Sequence, residues 1–295
     1  MKALLIDGLN IVRRIHAAIV GRTRHSDSEQ DRPHPDPQQV QGIVQSILGS
    51  FQKALNQHQP SHVLVVFESS GRNWRHRLYP AYKKNRPPIP AEIETIVSTL
   101  GERLPEIGLS EFALLGYEAD DIIATISHKL AHHQGRVVIL SSDRNYCQLL
   151  NDHIQIYDHF GSRYLTIELA QQHFGVPPED IPDLMALAGD SSLNIPGIHS
   201  IGKRTAARLI HEYGSLEQIL DAAEHIPGKL GSKLYSGKED ALLAQTLFTL
   251  KRDIELGINL NELRYPRIGQ REPERKDQLN ASNTSHTPNN MDSPG

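Results

Sequence analysis

The sequence has little of several residue types, and each shortage excludes a class of protein. It contains one cysteine, Cys147, which excludes an intramolecular disulfide and a cysteine-rich zinc site. No apolar run approaches the ~18 residues that cross a bilayer; the densest runs are VLVVF at 63–67 and VVIL at 137–140. With 31 Lys and Arg against 35 Asp and Glu, the chain is not polybasic. We therefore expect a globular protein with no membrane partner. Asp7 within the N-terminal MKALLIDGLN predicts no signal peptide and a cytoplasmic location.

Short apolar runs that end in an acidic residue alternate with longer amphipathic segments. The runs are KALLID, HVLVVFE and RVVILSSD, which end at Asp7, Glu68 and Asp143. Runs of this length, rich in Val, Ile and Leu, are typical of buried parallel strands. The helical segments expected between them are 39–57, 91–104 and 118–133. Alternation of strands with helices predicts an α/β fold with a parallel sheet.

The C-terminal half differs from this pattern. Three prolines in GVPPEDIP, at 175–182, predict a boundary, and residues 182–256 lack strand-like runs. We therefore predict an α/β domain at 1–180, with a basic segment around 72–90, and a helical region at 181–265.

Two polar segments are expected to lie outside the packed core. Residues 21–37 contain three prolines among polar side chains and predict an exposed loop. Only three of the 27 residues from Gly269 to Gly295 are apolar, so burial cannot offset the entropy of ordering them. We predict a disordered tail at 266–295.

Acidic side chains are expected to collect at the carboxyl edge of the sheet, where open parallel sheets bind ligands. The residues concerned are Asp7, Glu68 and Asp143 at strand ends, and Glu118, Asp120 and Asp121 in GYEADD at the start of a helix. Any one of them is equally typical of a strand end or of a first helical turn, where negative charge meets the helix dipole favourably. These local roles do not account for the whole set, because two unit charges ~4 Å apart repel by roughly 4 kcal/mol at an effective dielectric constant of ~20. A cluster of such carboxylates needs a cation or protonation to be stable. The set predicts a site for a hard cation such as Mg²⁺ or Mn²⁺.

The segment RNWRHRLYPAYKKNR, residues 72–86, combines positive charge with aromatic rings. It contains six Lys and Arg, no acidic residue, and the rings of Trp74, Tyr79 and Tyr82. A run of charge is commonly only a solvated surface. Here, however, it follows Glu68, and basic side chains interleaved with aromatic rings suit phosphate contact and base stacking. A dication beside such a segment indicates a phosphodiester substrate.

A turn before a helix in PGIHSIGKRTAARLI, at 196–210, is a second candidate for phosphate contact. Backbone N–H groups at a helix N-terminus attract anions, and this helix carries Lys203, Arg204 and Arg208. The same pattern is equally typical of a plain helix–turn–helix connection.

Six segments, taken in order, resemble the 5′-nuclease family, the flap endonucleases and 5′–3′ exonucleases that include the N-terminal domain of bacterial DNA polymerase I. The segments are IDGLN (6–10), WRHRLYPAYKKNRPPIP (74–90), YEADDIIAT (117–125), SSDRNYCQLL (141–150), FGVPPEDIPDLMALAGDSSLNIPGIHSIGKRTA (174–206) and YGSLEQIL (213–220). With no polymerase domain following, the resemblance is to the stand-alone flap endonucleases. It implies a PIN-like α/β nuclease domain, a helix–hairpin–helix variant that grips duplex DNA, and metal-dependent hydrolysis of branched DNA with a 5′ flap.

The resemblance also implies a role for each matching residue. The acidic positions that match metal ligands are Asp7, Glu68, Glu118, Asp120, Asp121, Asp143 and Asp190. Tyr82, Lys83 and Arg86 match residues that handle the single strand and the scissile phosphate. The backbone carbonyls that would hold one K⁺ belong to Leu187, Ala188, Pro196, Ile198 and Ile201, and the DNA-binding turn comprises Ser200, Ile201, Gly202, Lys203, Arg204 and Thr205. We expect two Mg²⁺, for which Mn²⁺ can substitute, one held chiefly by Asp120 and the other mainly through DNA. We expect no small-molecule cofactor, and a monomer.

Three positions depart from the family pattern. Asn145 replaces the second aspartate of a DxD pattern, Leu193 replaces aspartate in GDSSLNIPG, and Ser200 stands where glycine is preferred. A serine resists positive φ, so a distorted turn is expected there. The lost carboxylates keep a catalytically silent flap-binding or junction-binding protein as an alternative. A PIN-type ribonuclease would share the acidic edge, although the hairpin from 187 to 208 argues against it.

Overall fold

The structure is a computed structural model that describes residues 1–23 and 36–265. Most of the expected loop at 21–37 and the whole expected tail at 266–295 lie outside the described residues. The strands are β1 (Lys2–Asp7), β2 (His62–Val66), β3 (Glu111–Phe112), β4 (Arg136–Leu140), β5 (Ile154–Asp158) and β6 (Arg163–Leu165). The helices are α1 (Gly8–Thr23), α2 (Pro37–His58), α3 (Trp74–Leu78), α4 (Ala91–Arg103), α5 (Ala119–His132), α6 (Ile167–Phe174), α7 (Ile181–Ala188), α8 (Lys203–Tyr213), α9 (Leu216–Asp221), α10 (Lys229–Ser236) and α11 (Lys238–Phe248). Short 3₁₀ helices lie at Leu104–Ile107, Arg144–Leu149, Pro178–Asp180 and Leu260–Leu263.

The strands form one sheet in the order β3-β2-β1-β4-β5-β6. All neighbours pair in parallel except β6, which runs antiparallel to β5. This confirms the predicted parallel α/β class. β2 and β4 end at Val66 and Leu140, so Glu68 and Asp143 lie in the loops just past the strands. Strands β3, β5 and β6 were not predicted, because they are short or interrupted by exposed polar residues such as Gln155.

Alternate residues of the strands pack into two apolar layers. Leu4 and Ile6 of β1 face α1, α2 and α4, whereas Ala3 and Leu5 face α5 and the later helices. The three predicted helices are confirmed as α2, α4 and α5. Helix α1 was not predicted, because it begins directly at the end of β1 without a turn. Gly8 permits this junction: a Cβ atom there would lie 2.4 Å from the ring of Phe67.

The predicted helical character of the C-terminal region is confirmed for 181–248, which form α7 to α11, whereas most of 249–265 is not helical; the domain bounds at 181 and 265 stay predictions. Residues after α11 then return across α5 to the sheet, a segment that we call the C-terminal strap (249–265). Its main chain accepts hydrogen bonds from Thr125 and Lys129 of α5, and the Tyr265 amide donates to Ser61 beside β2. Met1–Tyr265 therefore form one compact unit. None of the described helices is both long and apolar enough to cross a membrane.

Candidate metal and nucleic-acid site

A cleft of about 350 Å³, here called the acidic cleft, opens at the carboxyl edge of the parallel strands. Five of the predicted carboxylates line it, and they are Asp7, Glu68, Asp120, Asp143 and Asp190. The predicted basic and aromatic residues that line it are Tyr82, Lys83, Arg86 and Lys203. The fold therefore brings together side chains from three strand ends, one helix start, the 72–86 segment and the helical region.

Asp7, the last residue of β1, is buried at the floor of this cleft. Its carboxylate accepts hydrogen bonds from the Asn10 amide (3.2 Å), the Ser141 hydroxyl (2.9 Å) and the Tyr146 hydroxyl (3.3 Å). Burial, reinforced by the negative charges of Asp143 and Glu68, raises the pKa of Asp7 to about 7, although the hydrogen bonds from Asn10 and Ser141 lower it. A bound cation would reverse this effect, because it stabilises the ionised carboxylate.

Asp120 lies in the first turn of α5 and remains 21% exposed to the cleft. One oxygen accepts the Asp121 amide (2.9 Å), and the other accepts the side-chain amide of Asn145 (3.2 Å). Burial raises the pKa of Asp120 well above its usual range; the Arg75 charge opposes this effect and the Asp121 charge reinforces it.

The orientation of the Asn145 amide follows from its other neighbour, Gln148. Gln148 accepts the Leu250 amide through Oε1 (3.0 Å) and donates to the Phe248 carbonyl through Nε2 (3.1 Å), so backbone groups fix its amide. The same Nε2 donates to Asn145 Oδ1 (3.0 Å), which leaves the Asn145 NH₂ group facing Asp120. The replacement of aspartate by asparagine therefore removes one charge from the cleft and supplies a donor to Asp120.

Asp121 faces away from the cleft into a buried ion pair with Arg75, whose side chain is 1% exposed. Arg75 donates to both Asp121 oxygens (2.6 and 2.9 Å), to Glu118 (2.9 Å) and to the Leu247 carbonyl (2.8 Å). Asp121 also accepts the Trp74 indole N–H (2.8 Å) and the Lys251 amide (3.0 Å).

This network changes the interpretation of the basic segment. Arg75 was counted among the side chains of 72–86 that suit phosphate contact, but its burial removes it from any nucleic-acid surface. The sequence held a signal for this: Glu118 and Asp121, three residues apart at the start of an apolar helix, need a buried counter-charge.

Glu118, at the start of α5, is bound by two further residues of the basic segment 72–86 in addition to Arg75. Lys83 Nζ lies 2.5 Å from Oε1, and the Tyr82 hydroxyl donates to Oε2 (3.0 Å). Burial raises the pKa of Glu118, but the charges of Lys83 and Arg75 outweigh it, so the pKa is lowered. The carboxylate oxygens of Glu118, Asp120 and Asp121 lie within 4.8 Å of one another, close enough for one ion. Only Asp120 of these three lines the acidic cleft, so metal binding by Glu118 and Asp121 stays a prediction.

Residues 81–86 dock on the turn at 190–195. The Lys83 amide donates to the Leu193 carbonyl (2.8 Å), Arg86 Nε donates to the Ser192 carbonyl (3.1 Å), and Asn194 donates to the Ala81 carbonyl (2.7 Å). Leu193, at a position where the resemblance implies aspartate, thus contributes a main-chain acceptor that holds the basic segment at the rim of the cleft.

The predicted potassium and DNA-binding positions lie at the end of α7, on the hairpin that follows it, and in the first turn of α8. The two arms of the hairpin touch at Gly189 and Gly197; a Cβ atom on Gly197 would lie 2.3 Å from the Gly189 nitrogen. The Ile198 amide donates to the Leu187 carbonyl (2.9 Å). Helix α8 then starts after Gly202 without a side-chain cap, which leaves its first amides available. The roles of the individual residues stay predictions.

Ser200 in this hairpin has φ +63°, the left-handed conformation that serine resists. We expect Ser200→Gly to raise the free energy of unfolding by about 1 kcal/mol, because the strain is relieved. Urea unfolding measures this change. Ser50→Gly, within helix α2, is the control and should instead lower the free energy by about 0.5 kcal/mol. A destabilised Ser200→Gly protein would contradict the interpretation of strain.

Comparisons with known proteins extend over nearly the whole chain. A family model described as the 5′–3′ exonuclease N-terminal resolvase-like domain matches residues 2–175, and one described as the 5′–3′ exonuclease C-terminal SAM fold matches residues 176–271. The proteins named flap endonuclease Xni from Aeromonas salmonicida and Vibrio cholerae are 38% and 35% identical; each alignment covers 89% of this chain and 96% of the relative.

Solved structures share the fold at lower identity. The T5 5′-exonuclease with bound zinc superposes with a TM-score of 0.69 at 22% identity, over 85% of this chain and 90% of that chain. A T5 D15 flap endonuclease complex with DNA and metal ions superposes with a TM-score of 0.65 at 22% identity, over 85% and 89%. The fold and the near full-length relatives confirm the family resemblance drawn from the six sequence segments. The chain belongs to the 5′–3′ exonuclease family.

Proposed function

We propose that the protein is a metal-dependent flap endonuclease, which hydrolyses DNA phosphodiester bonds at 5′ flaps. The observation that carries this proposal is the acidic cleft, in which five carboxylates face Lys83 and Arg86 beside the α7–α8 hairpin. The flap endonuclease Xni relatives, matched over nearly their full length, support the substrate class.

The donor set of the cleft fits divalent cations. All five acidic ligands are oxygen donors, as Mg²⁺ and Mn²⁺ prefer. Within the described residues, no ion pair joins Asp7, Glu68, Asp143 or Asp190 to a basic side chain. The negative charges of Asp143 and Glu68 that raise the pKa of Asp7 therefore have no paired cation, unlike those of Glu118 and Asp121. Asp120 would hold one ion with help from its neighbours, and Asp143 with Asp190 would contribute to a second that takes further ligands from DNA. Bound ions supply Lewis-acid stabilisation of phosphoryl charge and ease ionisation of the attacking water.

The basic rim of the cleft acts on the scissile phosphate. Arg86 is held by the Ser192 carbonyl, and Lys83 is held by Glu118, so both cations are positioned before DNA binds. Positioned charges stabilise the negative charge that develops in the transition state without reorganisation. Tyr82 supports this arrangement through its hydrogen bond to Glu118. Glu118 thereby acts as a positioning residue for Lys83.

The test is cleavage of a 5′-labelled flap DNA by the purified protein. We expect product near the junction with Mg²⁺ or Mn²⁺ and none with EDTA. Flap binding without product in either metal would contradict catalysis and establish the silent flap-binding alternative. Equal cleavage of a matched RNA would favour a ribonuclease.

The hairpin would hold duplex DNA through K⁺ bound by backbone carbonyls. The supporting feature is the close approach of its two arms, which brings several carbonyls into one turn. We expect duplex affinity to fall when Na⁺ replaces K⁺ at equal ionic strength, which must be matched because each phosphate contact depends on salt. Fluorescence anisotropy measures this, with single-stranded DNA as the insensitive control. Equal duplex affinity in both salts would argue against an ion-bridged hairpin.

A further inference from the structure

A second pocket, of about 280 Å³, adjoins the acidic cleft and is here called the side pocket. The two share Arg144, His173 and Phe174 as lining residues, so they are continuous. The side pocket lies between the 3₁₀ helix Arg144–Leu149, strand β6 and helix α6. None of the roles proposed above uses it.

Strand direction places the side pocket at the same edge of the sheet as the acidic cleft. Arg163, the first residue of β6, pairs with Asp158, the last residue of β5. Because β5 is parallel to β4, Asp158 lies at the carboxyl edge that also carries Asp7 and Asp143. A strand bound in the acidic cleft can therefore continue along this edge.

The rim of the side pocket is positively charged. Neither Arg144 nor Arg163 forms an ion pair with a carboxylate in the part of the chain that the structure describes. Arg144 instead contacts the ring of His173 (2.6 and 2.7 Å), and the Asp158 carboxylate accepts backbone amides of its own turn. Burial, then the charges of Arg144 and Lys203, lower the pKa of His173. Within the described residues, neither guanidinium charge is therefore neutralised by a carboxylate.

The floor of the side pocket is apolar. Cys147, Ala170 and Phe174 are buried there, with Leu165 and the partly exposed Leu169 beside them. Burial raises the pKa of the Cys147 thiol to about 11, so the floor carries no charge. An apolar floor under a cationic rim suits a base or sugar with its phosphate, whereas a free inorganic anion would use only the rim.

We propose that the side pocket binds one nucleotide of the substrate strand next to the scissile phosphodiester. Its phosphate lies between Arg144 and Arg163, and its base or sugar packs on the floor. This inference rests on the proposed function and extends it, since it assigns a substrate contact outside the acidic cleft.

The experiment measures binding of labelled 5′-flap DNA in EDTA over a series of KCl concentrations, which needs no cleavage. We expect Arg163→Ala to raise Kd by about fivefold and to reduce the slope of log affinity against log salt by about 0.9. Leu169→Ser should weaken binding without changing that slope, because an apolar contact releases no counterions. The matched controls are Arg136→Ala, at the opposite edge of the sheet, and Leu260→Ser.

An unchanged slope for Arg163→Ala, or wild-type affinity for Leu169→Ser, would each overturn the proposal. Failure of the proposed function is seen separately, as flap DNA that the wild-type protein binds but does not cleave with Mg²⁺. The two control variants, Arg136→Ala and Leu260→Ser, should retain the wild-type kcat at saturating DNA. For Arg163→Ala, a loss of kcat with unchanged Kd would contradict a binding subsite.

Discussion

Asp120→Ala is expected to lower kcat for 5′-flap cleavage by at least about 10³-fold while leaving flap binding in EDTA within about threefold of wild type. Asp120 is the carboxylate of the GYEADD segment that lines the acidic cleft, and its oxygens face Asn145 and the start of α5. Its removal would take away the ligand proposed to hold the first ion, without touching the hairpin or the basic rim. Single-turnover cleavage at saturating Mg²⁺ measures the loss.

Lys83→Met is the matched comparison, because it changes a basic side chain that lines the same cleft. It should reduce turnover while Mn²⁺ binding, followed by electron paramagnetic resonance, stays at the wild-type level. Asp120→Ala should instead weaken Mn²⁺ binding. Cleavage by Asp120→Ala within tenfold of wild type would remove this residue from the metal site, and weakened Mn²⁺ binding by Lys83→Met would contradict its assignment to the phosphate.

Arg75→Met is expected to lower the free energy of unfolding by about 3–5 kcal/mol, the cost of leaving buried carboxylates without their counter-charge. Asp121 is fully buried, and Arg75 supplies two of its four hydrogen bonds. Urea unfolding of the purified proteins measures the change. The free energy of unfolding of Arg75→Lys should lie between those of the wild type and Arg75→Met. An ammonium group keeps the charge but cannot donate in parallel to both Asp121 oxygens.

Arg77→Ala is the control for this prediction, since Arg77 belongs to the same short helix but is exposed. Its effect should stay within about 0.5 kcal/mol. The double variant Arg75→Met/Asp121→Leu should recover part of the loss, because it removes both members of the main pair. Equal stability of Arg75→Met and Arg77→Ala would show that the buried pair contributes little.

The sequence predicted the elements whose pattern is continuous and missed those that depend on distant partners. KALLID is typical of a buried strand and forms β1 here, and the shared edge of parallel strands then places Asp7 near Asp143. By contrast, Arg75 reads as one more residue of a basic run, and only the folded chain shows that it points inward.

The orientation of the Asn145 side-chain amide also could not be predicted from local sequence. The direction of its amide depends on Gln148, whose own amide is fixed by the Leu250 main chain 102 residues away. Local sequence identifies the lost carboxylate at position 145, but the donor that replaces it depends on a contact between two distant parts of the chain. Packing, not pattern, decides which atoms of a polar side chain face the cleft.

The C-terminal strap determines when a growing chain can finish this site. The Asp121 carboxylate accepts a hydrogen bond from the amide of Lys251, which lies 130 residues further along the chain. Phe248 is one of the residues that line the acidic cleft. At a synthesis rate of about 5–20 residues per second, roughly 7–26 s separate these partners on the ribosome. Until these residues are made, Arg75 lacks its acceptor on Leu247 of α11, Asp121 lacks the Lys251 amide, and the cleft lacks Phe248. The nascent protein therefore completes the acidic cleft only after residues 248–251 have been synthesised.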